Sequence, residues 1–264
     1  MKSPIGVFDS GVGGLTVLKE LMRVLPHEHF VYFGDTARVP YGGKSAETIT
    51  RYSMEIANYL IRGCDIKLLV AACNTVSSQA LSTMRKIYRI PVVGMVEPCV
   101  RRVAALRRKS YIGVIGTLGT IRSGAYEKAL LAAVPSAKIR AISCPLFAPL
   151  VEEGWTDHDV TRAVIAEYLS PFRSKPPDAL ILGCTHYPVL KKAIKEFIGE
   201  KTVLIDSGEE AAAVVDIILS EKMARSKRRR QMTRFLATDD PEGFGRVGKC
   251  FFGRELKGVQ LATL

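Results

Sequence analysis

Residues 69–75 read LVAACNT and residues 180–186 read LILGCTH. Each is an apolar run closed by a cysteine and short polar residues, and the second copy stands at an offset of 111. The repeat extends outward. GVFDSG at 6–11 aligns with GVIGTL at 113–118, an offset of 107, and VVGMVEP at 92–98 aligns with VLIDSGE at 203–209. Generic strands resemble one another in hydrophobicity. They do not share a cysteine just past the same strand, so the pattern predicts a duplicated half.

Each copy is built from continuous apolar runs separated by helical periods. The predicted strands are PIGVFDS (4–10), HFVYFGD (29–35), IKLLVAAC (66–73), PVVGMV (91–96), YIGVIGT (111–117), IRAISCP (139–145), ALILGC (179–184) and TVLIDS (202–207). Leu15, Leu18, Leu21, Met22 and Leu25 fall at helical spacing. Ser45 can cap a helix that buries Ile49, Tyr52, Ile56, Tyr59 and Leu60. Unbroken apolar strands alternating with helices predict α/β architecture with mainly parallel sheets covered on both faces. The expected units are 1–97 together with 207–264, and 98–206. The tail is expected to return to the first unit with one helix, Gly208–Met223, and three strand-like runs, MTRFLATD, KCFFG and GVQLATL.

Charge narrows the partners. The 264 residues carry 38 Lys and Arg against 26 Asp and Glu, a net +12, which invites a nucleic-acid reading. The excess is local. RRVAALRRK (101–109) holds five basic residues, KMARSKRRRQMTR (222–234) holds seven, and neither holds an acid. The rest of the chain is balanced, and 222–234 reads first as a solvated helix-to-strand connection; DNA or protein binding there is the alternative. The N-terminus does not read as a signal peptide, since Asp9 and a glycine cluster break its apolar run, and no stretch reaches the ~20 apolar residues of a membrane span. A cytoplasmic chain is expected. Its six cysteines form no CxxC pair, so they read as free thiols.

Ligands of open α/β sheets bind beyond the carboxyl ends of the strands. Those ends carry Asp9-Ser10, Asp35, Cys73-Asn74-Thr75, Thr117, Cys144, Cys184-Thr185-His186 and Asp206. Cys73 and Cys184 are equivalent, and each is expected to begin a helix whose N-terminal amides lower the thiol's pKa. The same amides, with Ser10, Asn74, Thr75 and Thr185, can hold a carboxylate. Nucleophilic catalysis needs one thiol. Two equivalent thiols suit racemisation, in which one removes the Cα proton and the other returns a proton to the opposite face. Asp9 is placed to serve Cys73, and His186 to serve Cys184. Cys64, Cys99, Cys144 and Cys250 read as small hydrophobes. Asp35 reads equally well as a turn residue. Cys-x-His lacks further metal ligands, and GVGG (11–14) lacks dinucleotide spacing and reads as a tight turn letting the backbone approach the substrate. No lysine lies in the strand-end motifs to form a Schiff base.

GVFDSGVGGLTVL (6–18), YFGDTARVPYGGKS (32–45), ACNTVS (72–77), GVIGTLGTIRSGAY (113–126), CPLFAPLVEEG (144–154), LGCTHYPVL (182–190) and FLATDDPEGF (235–244) resemble the cofactor-independent aspartate/glutamate racemase family, nearly end to end. Val76, Ala148 and Val189 depart from its usual residues without altering a polar group. The resemblance implies that Cys73 and Cys184 are the catalytic pair, assisted by Asp9, His186 and Glu152. It implies that Asp9, Ser10, Tyr41, Gly42, Asn74, Thr75, Thr117, Thr185 and His186 contact an amino acid. It further implies two units related by a pseudo-twofold with the site between them, glutamate as substrate (an aspartate or other amino-acid racemase of the same superfamily being the alternative), D-glutamate supply for peptidoglycan, no pyridoxal phosphate and frequent homodimers.

Overall fold

The computed structural model describes residues 3–222 and 231–264. Ten strands run in chain order among the described residues: β1 (Ile5–Asp9), β2 (Phe30–Gly34), β3 (Leu68–Ala71), β4 (Val92–Val93), β5 (Tyr111–Gly116), β6 (Lys138–Ser143), β7 (Ala179–Gly183), β8 (Val203–Asp206), β9 (Thr233–Ala237) and β10 (Val259–Leu261). They form a six-stranded sheet, β10-β9-β2-β1-β3-β4, and a four-stranded sheet, β6-β5-β7-β8. Every pairing is parallel.

The repeat in the sequence is a repeat in topology. The order β2-β1-β3-β4 in one sheet is matched by β6-β5-β7-β8 in the other. In each, the first strand of the copy lies between the second and third, so the order reverses there and opens a crevice at the carboxyl ends. The register matches too: Phe8 pairs with Ala71, two residues before Cys73, and Ile115 pairs with Leu182, two before Cys184. β1, β2, β3 and β7 are buried along their whole length, as strands covered on both faces must be. One apolar cluster runs from Ile5, Leu18 and Tyr32 of the larger-sheet unit to Leu180, Tyr187 and Ile194 of the other. The helices Leu15–Val24 and Ser207–Lys222 pack together within it.

Ser45 Oγ accepts from the Thr48 amide and starts the helix Ala46–Cys64, which buries Ile49, Ile56 and Leu60. Tyr52 and Tyr59 are only half-buried on its flank. Two sequence expectations fail. PVVGMV shortens to Val92–Val93, because Val96 already begins the helix Val96–Ala104. KCFFG is not a strand but the last turn of the helix Pro241–Phe252. The local signals explain that helix: Asp240 Oδ1 accepts from the Gly243 amide, Pro241 occupies the first turn, and Gly253 (φ +80) closes the end. No helix of the described residues is long and apolar enough to cross a membrane.

Candidate active site

Loops from both sheets enclose a cavity of about 370 Å³. Cys73 and Cys184 both line it, with Ser10, Asn74, Thr75 and Thr117 on one part of the wall and Glu152, Thr185 and His186 on another. Tyr41 and Gly42 form part of its rim. Of the residues expected at the site, only Asp9 does not line the cavity; it is fully buried beneath it.

The two thiols have different neighbours. Cys73 is the N-cap of the helix Asn74–Gln79, and its Sγ lies 3.8 Å from Ser10 Oγ. The expected lowering by helix amides is overturned. Burial and then the charge of Asp9 push this thiol up to about 12, against the weaker help of the Val76 amide and Ser10. Cys184 does not begin a helix. A 3-10 turn, Tyr187–Leu190, starts three residues later with His186 as its cap and Pro188 in its first turn. The partner of Cys184 is instead His186, with Nδ1 3.7 Å from Sγ. His186 Nε2 lies 2.7 Å from Glu152 Oε1. Burial disfavours the imidazolium, but the bonds to Cys184 and Glu152 outweigh it and raise His186 to about 10.

Asp9 Oδ2 accepts from the Gly11 amide at 3.0 Å, while Oδ1 has no hydrogen-bond partner among the described residues. Burial pushes this carboxyl up, opposed by the charge of His186. The glycines of GVGG do not line the cavity, contrary to the substrate-approach reading. Their role is close packing, against the other unit at Gly13 and within their own unit at Gly11 and Gly14. A Cβ on Gly13 would lie 2.4 Å from Thr185 Oγ1 and 2.5 Å from the His186 ring, and one on Gly14 would lie 2.5 Å from Asp9 Cβ.

Other polar groups cross between the units. Thr75 Oγ1 is 2.9 Å from Thr117 Oγ1, and Thr120 Oγ1 closes the triangle at 3.0 Å from Thr117. The Gly119 amide donates to Gly42 O at 2.8 Å, and Gln79 Nε2 donates to Gly119 O at 3.2 Å. Asn74 is held by Ser207 and Tyr126. Sequence reasoning missed Gln79, Gly119, Thr120, Tyr126 and Ser207. Only Ser207 lies in a repeated segment, VLIDSGE, where the repeat does not single it out, and Gly119, Thr120 and Tyr126 reach the site only through the packing of one unit on the other. Tyr41 donates its hydroxyl proton to Asp35. Asp35 also accepts from Arg38 Nε at 2.7 Å and Thr238 Oγ1 at 2.9 Å, which settles its reading as a structural turn residue. Cys144 is fully buried, as expected of a packing residue. In the basic run 101–109, Arg102 meets Glu210 at 3.5 Å and Arg108 meets Asp178 at 3.4 Å. Of the run 222–234, residues 223–230 lie outside the described residues.

Two like α/β units, each presenting a cysteine from an equivalent strand end to one shared cavity, define the architecture of a racemase. The chain belongs to the Asp/Glu/hydantoin racemase family, whose profile matches residues 5–215. It is 52% identical over 261 residues to the glutamate racemase of Geobacter metallireducens, covering 98% of this chain and 96% of that one. The structure of a glutamate racemase isoform from Bacillus anthracis superposes with a TM-score of 0.95 at 37% identity, covering 99% of this chain and 98% of the other. The glutamate racemase of Francisella tularensis, solved with D-glutamate, gives a TM-score of 0.93 at 38% identity over the same shares.

Proposed function

We propose that this protein is a glutamate racemase that interconverts L- and D-glutamate by moving the Cα proton between Cys73 and Cys184, supplying D-glutamate for peptidoglycan synthesis. The observation that carries the reading is the pair of equivalent cysteines on one cavity, each with a different proton-handling neighbour. The names of the relatives favour glutamate over aspartate.

On this reading Asn74, Thr75, Thr117 and Thr185 supply donors for substrate carboxylates, and Ser10 and the Tyr41–Gly42 rim complete the enclosure. One sulfur, as thiolate, takes the Cα proton. The electron pair left behind delocalises into the α-carboxylate, where hydrogen-bond donors stabilise the developing charge. The other sulfur, as thiol, delivers its proton to the opposite face and becomes thiolate. The two sulfurs end with their protonation states exchanged, so the next turnover runs from the other side or waits for proton exchange with solvent. Cys73, held as a thiol, suits the donor role at rest. Cys184 lies beside an imidazolium that offsets negative charge on sulfur and can donate to it. His186 assists Cys184, Glu152 holds His186 protonated, and Asp9 governs the field at Cys73. The units on either side of the site are 1–97 with 207–264, and 98–206. A cytoplasmic homodimer is part of the same reading, and sedimentation of the purified protein checks the dimer.

The test is purified protein in D2O without added pyridoxal phosphate. It is expected to exchange the α-hydrogen of either glutamate enantiomer and interconvert them. Loss of both outcomes, or a preference for aspartate in competition, would overturn the assignment.

A further inference from the structure

The side-chain amide of Asn74 is gripped at both ends by residues from outside its own strand and helix. Tyr126, on the helix Ala125–Ala133, donates its hydroxyl proton to Asn74 Oδ1 at 2.6 Å. Asn74 Nδ2 donates to Ser207 Oγ at 3.1 Å. All three residues are buried, at 2%, 2% and 0% exposure for Tyr126, Asn74 and Ser207. The only other polar neighbour of the phenol among the described residues is Cys99 Sγ at 3.8 Å, a weak acceptor, so its single proton goes to Asn74.

A primary amide presents an acceptor at one end and two donors at the other, and half a turn about its last bond exchanges them. Only the donor end helps a carboxylate; a carbonyl oxygen facing it repels. With Oδ1 committed to Tyr126 and one N–H committed to Ser207, the second N–H is what Asn74 has left for the cavity it lines. We propose that Tyr126 is a positioning residue of this site: it fixes the Asn74 amide so that an N–H, not the carbonyl oxygen, faces the substrate carboxylate. Tyr126 follows β5 and Asn74 follows β3, so this donor is set only when the two units are packed together. The inference rests on the racemase reading above.

Tyr126→Phe removes one oxygen and keeps the ring. The expected result is a rise of about tenfold in KM for glutamate, the worth of one well-placed hydrogen bond, with kcat within about twofold of the parent. The decisive measurement is a double-mutant cycle. If Tyr126 acts through Asn74, then Tyr126→Phe combined with Asn74→Ala binds glutamate no worse than Asn74→Ala alone. A merely structural tyrosine would lower the melting temperature and kcat together, and its effect would add to that of Asn74→Ala. Unchanged KM in Tyr126→Phe, or additivity in the cycle, overturns the inference. Should Tyr126→Phe not fold, Ser207→Ala releases the other end of the same amide and is read by the same cycle. The parent enzyme is assayed alongside. A parent that does not racemise glutamate overturns the functional reading and this inference with it, whereas an active parent with additive variants overturns the inference alone.

Discussion

Cys73 and Cys184 stand at equivalent strand ends in sheets of equivalent order, yet their surroundings are electrically opposite. Beneath Cys73 lies a carboxylate, Asp9, with one oxygen unpartnered among the described residues. Beside Cys184 lies an imidazole kept protonated by its bonds to Cys184 and Glu152. Duplication supplied the symmetry of the backbone, and divergence of the neighbours supplied two different proton-handling settings. A racemase needs the first for two-sided access to one carbon. The second sets a carboxylate beside one sulfur and an imidazolium beside the other.

The largest expected effect breaks the pair outright. Cys73→Ala and Cys184→Ala should each lower racemisation by about 10²–10⁴-fold, the usual worth of a positioned acid or base, as followed by circular dichroism. Full activity in either variant would remove the two-base scheme. Next, Asp9→Asn and His186→Asn should each slow turnover by about 10–100-fold, and unequally for the two enantiomers. Because the enantiomers are equally stable, kcat/KM must remain equal in both directions. The asymmetry is therefore expected in kcat, and in the isotope effects of α-deuterated L- and D-glutamate. Matching isotope effects in both variants would assign the two residues a shared binding role instead.

Asp9→Asn sharpens the comparison in a second way. Removing a negative charge beside Cys73 should lower its thiol from about 12 and speed its alkylation by iodoacetamide at fixed pH. A slower reaction would mean that Asp9 acts on Cys73 mainly as a proton acceptor.

The smallest effect is on stability. His186 rises from 6.5 to about 10 on folding, so the folded protein holds a proton that the unfolded chain releases between those values. Its contribution is fully present below pH 6.5 and is lost as pH rises through about 10. The melting temperature should therefore fall from neutral pH to pH 10 more steeply in the parent than in His186→Asn. Parallel profiles would contradict the coupling.

Much of the fold was legible because parallel strands buried on both faces are written as unbroken apolar runs, and because the cysteine motif marked the repeat. KCFFG misled for the same reason: a short apolar run does not distinguish strand from helix, and the caps at Asp240 and Gly253 decided it. At the site, the motif residues gather around one cavity as expected, apart from Asp9, which lies below it. The acidity of Cys73 was misjudged because helix amides can be counted from local sequence, whereas burial and a nearby carboxylate cannot.

The sequence by itself determined the alternation of strand and helix, the duplication, and the two cysteines with their polar followers, because each is a local pattern or its repetition. Only the tertiary structure decided that GVGG makes room for Thr185 and His186, that Cys73 is held as a thiol, and that Tyr126 and Ser207 grip Asn74 from 52 and 133 residues away. Those outcomes depend on which surfaces are desolvated together, and that is settled only when distant segments pack, within one half for Asp9 and Ser207 and between the halves for Gly13 and Tyr126.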